Sequence, residues 1–172
     1  MKCFKIEAIE YGWFECRIGN HYLEASDYLG YDVSREFLVK ILGVLAGAPE
    51  EWIYVMDEPG ANIIKLSLEH NKILINIYST NKTSYDLSKN IEDGIKYIGE
   101  CEFLIDIAKE EFIDAVITEY SLYELGNGRD YYEKNWMNFP QNEYDELKRI
   151  AFELNRSLKG ADSMQCVEFL KQ

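Results

Sequence analysis

Residues 51–79 read EWIYVMDEPGANIIKLSLEHNKILINIYS, and the fold is decided by how the runs in this stretch pair. Three apolar runs rich in β-branched residues are separated by Asp57-Glu58-Pro59-Gly60 and by His70-Asn71, the pattern of antiparallel strands joined by hairpins. If Asp57 pairs with Asn62 across Glu58-Pro59-Gly60-Ala61, then Val55 faces Ile64 and Ile53 faces Leu66. If Glu69 pairs with Lys72, then Leu68, Leu66 and Ile64 face Ile73, Ile75 and Ile77. One face becomes wholly aliphatic, and a slip of a single residue in either hairpin would destroy that agreement. The same register puts Trp52 beside Ser67 and Leu74, Tyr54 beside Lys65 and Asn76, and Met56 beside Ile63 and Tyr78 on the other face. Aromatics, a methionine and polar groups mixed on one surface have the composition of a protein interface. The competing reading is that helices cover this face and leave only the polar tips of the aromatics at its rim.

Working toward the N-terminus, Phe4, Ile6 and Ala8 alternate with Lys5 and Glu7, and Phe14, Cys16 and Ile18 alternate with Glu15 and Arg17 beyond Tyr11-Gly12-Trp13. Gly19-Asn20 suits a two-residue turn with glycine first, which pairs Ile18 with His21, Cys16 with Leu23 and Phe14 with Ala25. Residues 3 to about 28 thus predict a second three-stranded meander. Between the meanders a helix is expected, with Ser34 as N-cap, Val33 and Leu38 as a hydrophobic staple, Phe37, Leu38, Ile41, Leu42 and Leu45 as its stripe, and Gly47 and Pro49 as its stop. Residues 81–99 are polar and read as a loop with a short helix or an extra strand.

From about Glu102 a helical period is expected, carrying Leu104, Ile107, Ala108, Phe112, Ala115, Val116 and Tyr120, with Gly126 ending it. GNGRDYYEKNWMNFP then reads as a connector, and Pro140 opens a last helix with Tyr144, Leu147, Ile150, Ala151, Leu154 and Leu158 inward and Gly160 as its stop. The fold class is therefore α+β: an antiparallel sheet of about six strands, two meanders linked by a helix, packed with C-terminal helices in a single domain over 1–172.

A chain of 172 residues buries roughly 70% of the surface its unfolded form exposes. Hydrophobic content of 47% and charged content of 28% are those of an ordinary globule, and no apolar run is long enough for a transmembrane helix. The start MKCFKIEAIE lacks the apolar core of a secretion signal, so a cytoplasmic location is expected. The 31 acidic residues against 18 basic ones give a formal charge of -13, which repels nucleic acid and anionic membranes and steers a basic protein inward. Cys3, Cys16, Cys101 and Cys166 show no CxxC spacing; Cys16 should point inward and Cys3 to the opposite side, leaving free thiols.

Catalytic groupings are absent from the pattern. His70 and Asp57-Glu58 sit at opposite ends of the second meander, roughly 20 Å or more apart, and His21 flanks a turn. There is no HExxH and no grouping of Ser or Cys with His. Gly126-Asn127-Gly128-Arg129 lacks the spacing and lysine of a phosphate loop, and Glu110, Glu111 and Asp114 read as a solvated helix face. No cofactor or metal is expected. The connector residues Asp130, Tyr131, Tyr132 and Trp136 form a second candidate surface, although Trp136, Phe139 and one tyrosine would serve equally to pin the connector to the core.

Tyr28-Leu29-Gly30, a short apolar helix ending in glycine, the Glu58-Pro59-Gly60 hairpin and the Trp136 and Phe139-Pro140 segment follow one another in an order that resembles the acidic immunity proteins of bacterial polymorphic-toxin and contact-dependent inhibition systems. The resemblance implies a non-catalytic protein that binds and blocks a cognate toxin, often a basic nuclease. The expected partner surface is Trp52, Tyr54, Met56 and Tyr78 together with the connector residues. Two other readings stand beside it. One is a small-molecule-binding or enzymatic α+β domain with a pocket between sheet and helices, marked by Asp114 converging with Tyr78 or His21; the other is an assembly protein that forms a homodimer.

Overall fold

The computed structural model describes residues 2–27, 30–57, 60–80 and 98–169, with side chains as far as 156. It is an α+β arrangement in which seven strands among the described residues divide into two antiparallel sheets, of three and of four strands, where about six strands were expected in one. The first sheet has the order β1 (Phe4–Glu10), β2 (Trp13–Ile18), β3 (His21–Ser26). The second has the order β4 (Glu51–Asp57), β5 (Gly60–Glu69), β6 (Lys72–Thr80), β7 (Cys101–Ala108). The helices are α1 (Val33–Leu45), α2 (Lys109–Ser121), α3 (Gly126–Asn135) and α4 (Gln141–Phe169). The expectation for 81–99 falls almost wholly on 81–97, outside the described residues, as do Tyr28, Leu29, Glu58 and Pro59.

The ladders follow the hydrophobic pattern. Ile18 pairs with His21, Cys16 with Leu23 and Phe14 with Ala25; Gly19 takes φ +58° at the first turn position. Glu69 pairs with Lys72 across His70 and Asn71, both at positive φ, which brings Ile64, Leu66 and Leu68 against Ile77, Ile75 and Ile73. The β4–β5 hairpin departs from expectation: Asp57 pairs with Gly60, so Ile53 lies opposite Ile64 and Val55 opposite Asn62. The shift is by two residues, an even number, so every side chain keeps its face. Ile53, Val55, Ile64, Leu66, Ile73, Ile75, Ile77 and Ile107 all enter one core with the inner face of the first sheet.

β1 carries a bulge: Ile6 pairs with Cys16 but Ala8 with Glu15, so Ile9 and not Ala8 turns inward. Cys3 precedes β1 and is buried too, its thiol donating to the Glu111 carbonyl at 3.6 Å, so the alternation of the strand does not extend to it. Cys3, Cys16 and the exposed Cys101 are free.

α1 packs on β4 and β5, and α4 packs on α1 and α2. The N-cap of α1 is Asp32, which accepts from the Arg35 N–H at 3.0 Å. Ser34 lies inside the helix and is buried, where its hydroxyl meets two tyrosines: Tyr132 at 2.6 Å and Tyr120 at 2.9 Å. Residues 101–108 are a strand and not the start of a helix. Phe103, Ile105 and Ile107 face inward at period two, and β7 extends the ladder beyond β6. α2 begins only at Lys109, with Glu110 and Glu111 in its first turn favouring the positive end of the helix dipole. The GNGR segment opens α3 instead of ending a helix. A Cβ at residue 128 would lie 2.1 Å from the Leu122 carbonyl oxygen, so only glycine lets α3 start this close to the preceding chain. α4 runs on through Gly160.

Candidate protein-binding surfaces

Two surfaces hold the residues that the sequence singles out. The first is the outer face of the four-stranded sheet. Pairing carries one row across it as Trp52, Lys65, Asn76 and Leu104, and the next as Tyr54, Ile63, Tyr78 and Cys101. These neighbours replace the expected ones by two residues, through the shifted β4–β5 register. Tyr54 and Met56 join Ala61 and Ile63 in a second small core, packed by Tyr31, Trp52, Tyr78 and Ile98. Tyr54 is only 2% exposed, its ring meets that of Tyr31 edge-on at 6.2 Å, and burial pushes its phenol up to about 12. The expectation that Tyr54 and Met56 contact a partner is therefore corrected: both are core residues, because this face of β4 is covered as well.

Trp52 and Tyr78 are half-buried, with rings 6.2 Å apart. The Lys65 ammonium lies 5.3 Å from the Trp52 ring centre and pairs with Glu50 at 2.5 Å, and the Trp52 indole N–H donates to Glu50 at 3.0 Å. The Lys65 and Trp52 hydrogen bonds hold the Glu50 carboxyl below the usual range. At the other end of the row Leu104 is 61% exposed, and Glu102 and Asp106, also exposed, flank it along β7.

The second surface lies where the β1–β2 turn meets α3. Helical geometry separates two neighbouring tyrosines: Tyr131 faces solvent at 42% exposure while Tyr132 is fully buried and donates to Ser34 Oγ. Trp136 is also buried, its ring 5.8 Å from Phe14 and its indole N–H donating to Asp32 at 2.8 Å. Tyr132 and Trp136 thus fasten α3 to the core and are corrected as partner contacts, Trp136 showing only an edge. Asp130 and Tyr131 stay on the surface.

Beside Tyr131 runs a groove of about 500 Å³, lined by Glu10, Tyr11, Gly12, Asp27, Lys134, Asn135 and Trp136. Its walls are tied together by backbone. The Gly12 N–H donates to the Asn135 carbonyl at 2.9 Å, and the Asp27 N–H donates to the Gly12 carbonyl at 2.9 Å. Residue 12 has φ +81°, and a Cβ there would lie 2.7 Å from Asp27 Oδ1, so glycine also makes room for that carboxylate. Tyr131 donates its hydroxyl to Glu10 at 3.3 Å; partial burial and the Glu10 carboxylate push the phenol up and keep it a donor.

Tyr11 is 89% exposed at φ +52°, in a turn whose two positive φ angles favour Asn-Gly. A Tyr-Gly pair at the centre of the first hairpin is the signal by which the tip could have been found in the sequence, with Glu10 beside it; Asp27 and Lys134 join it only through the fold. The structure thus brings Trp52 together with Tyr78, and sets Asp130 and Tyr131 on a helix packed against β1.

Of the remaining ionisable groups, His21 stacks on Phe103 at 5.1 Å and desolvation lowers its pKa, while His70 sits in the β5–β6 turn. Among the described residues no three His, Cys, Asp or Glu side chains gather closely enough to hold a metal ion, and no helix is long and apolar enough to cross a membrane. Comparison of the chain with protein-family models, with curated proteins and with solved structures finds no match.

Proposed function

We propose that this chain is a non-catalytic binding protein that captures a basic protein, and that it acts as an immunity protein neutralising a cognate bacterial toxin. The observation that carries the reading is the outer row of the second sheet. Trp52, Tyr78 and Leu104 present aromatic and aliphatic surface, and Glu50, Glu102 and Asp106 edge it, on a body of formal charge -13. Lys65 and Asn76 lie between Trp52 and Leu104, so the surface is a mixed one in which the aromatic and aliphatic groups supply affinity and the charged groups set the rate and choice of partner. Acidic side chains speed the approach of a basic toxin and disfavour nucleic acid. The order of sequence features shared with acidic immunity proteins supports the same role.

The test begins with the gene immediately upstream: a large secreted protein encoded there supplies its C-terminal domain for co-expression with this chain, read as growth rescue and as affinity by titration calorimetry, and a metabolic operon there counts against the role. Wild-type chain should restore growth and bind the domain. Trp52→Ala should weaken binding by about 2 kcal/mol, the scale of an interface anchor, with little loss of stability because the ring is half-buried. Failure of the wild type to bind refutes the role, and unchanged binding by Trp52→Ala removes this face as the interface.

A further inference from the structure

We infer that the groove between the β1–β2 turn and α3 takes an arginine side chain borne on a basic segment of the protein partner. The inference rests on the protein-binding reading and adds a second contact to it, with a stated chemistry.

The groove has the parts that a guanidinium uses. Glu10 and Asp27 put carboxylates on its walls, and the aromatic residues Tyr11 and Tyr131 line it beside them. A planar guanidinium can stack flat on a ring and donate two parallel N–H bonds in its own plane to a carboxylate. The compact point charge of an ammonium lacks that fork geometry even where, as at Lys65, it meets a ring and a carboxylate together. Among the described residues neither Glu10 nor Asp27 is in an ion pair, whereas the carboxylates at the edge of the sheet surface, Glu50 and Asp106, are paired with Lys65 and Lys72. The groove's negative charge is thus open to a visiting cation. Lys134 also lines the groove, so a visiting cation is attracted by two carboxylates against one ammonium.

The walls are set before any ligand arrives. Backbone hydrogen bonds run from Gly12 to Asn135, from Asp27 to Gly12 and from Gly30 to Asp27, at 2.9, 2.9 and 2.7 Å, so little ordering remains for binding to impose. Tyr11 is held in a left-handed conformation that a tyrosine adopts at a cost, at the most exposed point of the hairpin, where the ring gains little packing in return. A ring kept there is placed for contact with something outside the chain. Phosphate-bearing partners are disfavoured by the same carboxylates.

The experiment is a titration of the full chain, followed by backbone amide NMR, with acetylated and amidated tri-arginine and tri-lysine peptides. Tri-arginine should shift the amides of Tyr11, Gly12, Asp27 and Lys134 saturably, and tri-lysine should bind the same amides about tenfold more weakly. Asp27→Asn should reduce tri-arginine affinity about tenfold, with core amides such as Ile64 and Ile75 unshifted to show that the fold is intact. Tyr11→Asn should remove most of the preference for arginine over lysine. Equal shifts for the two peptides, or shifts spread over the exposed Glu102 and Asp106 of β7, overturn the proposal. So does self-association that moves the same amides without peptide, since a second copy of the chain would then be the occupant. Toxin capture that is lost in Trp52→Ala but untouched in Asp27→Asn overturns the groove and leaves the protein-binding role standing. Saturable tri-arginine binding by a chain that captures no toxin supports the groove and overturns that role.

Discussion

Ser34 is the point at which a single oxygen atom should matter most. Tyr120 donates its hydroxyl to the Ser34 carbonyl at 2.7 Å, which fixes the direction of the other bonds: the Ser34 hydroxyl donates to Tyr120 and accepts from Tyr132. All three side chains are fully buried, so no water replaces a lost partner. Ser34→Ala leaves the Tyr132 hydroxyl as a buried donor without an acceptor and takes away what Tyr120 accepts, while Tyr120 keeps its own donation. One orphaned buried donor costs about 1–3 kcal/mol, so a loss of roughly 2 kcal/mol is expected. In a chain of this length that lowers Tm by about 4–8 °C. The assay is urea unfolding followed by circular dichroism, on Ser34→Ala, Tyr132→Phe and the double variant. Removing both partners relieves the orphan, so the double variant should be more stable than the sum of the single losses predicts, by about 1 kcal/mol. A Ser34→Ala loss below about 0.5 kcal/mol, or strict additivity in the cycle, would refute the buried chain of hydroxyls.

Three further outcomes follow from the same structure. Tyr11→Asn should raise stability by about 1 kcal/mol in the same urea assay, because asparagine tolerates the left-handed conformation and the exposed ring packs little; destabilisation would show that the ring is held by the chain itself. Glu119 is buried and accepts from the Ile6 N–H at 3.0 Å and from the exposed Lys2 ammonium at 2.7 Å; Glu119→Ala should cost about 2 kcal/mol and Glu119→Gln, which keeps an acceptor for that N–H, clearly less. Desolvation holds the His21 pKa in the fold below its ordinary 6.5, so the unfolded chain binds a proton at a pH where the folded chain does not. Its contribution to stability is therefore lost as pH falls from about 6.5 toward the folded value, and Gln at this position should flatten that part of a pH series of urea midpoints relative to wild type.

Much of the fold was legible because period two is unforgiving. The β2–β3 and β5–β6 registers were readable residue by residue, and the β4–β5 hairpin kept its faces through a shift of two. β7 was misread since Leu104, Ile107 and Ala108 mimic helical spacing, while Phe103, Ile105 and Ile107 fit a strand equally well; only a ladder partner decides between them. α3 escaped because glycines crowd its start and Tyr132 is its one buried residue, leaving no apolar stripe to see. Had it been read as a helix, adjacent Tyr131 and Tyr132 could not both have faced a partner. A cue to the burial of Tyr54 and Met56 was present in Ile53-Tyr54-Val55-Met56, an unbroken apolar run of the kind found in strands covered on both faces. Of the candidate surface, Trp52, Tyr78, Asp130 and Tyr131 remain exposed in part or whole. Asp27 was out of reach, because it meets Gly12 only through the closure of the first sheet.

The bulge in β1 bears on how such a chain could change its partner. Glu7 is a surplus residue between Ile6 and Ala8, and its presence lets Ile6 and Ile9, three positions apart, both point inward. A gain or loss of one residue at that spot therefore alters the twist of the strand without exchanging its greasy and wet sides. The lever moved by that twist is the tip bearing Glu10 and Tyr11. A single-codon change in length can therefore swing the tip while the interior stays as it is, so the binding role proposed for the tip could be retuned without disturbing the core.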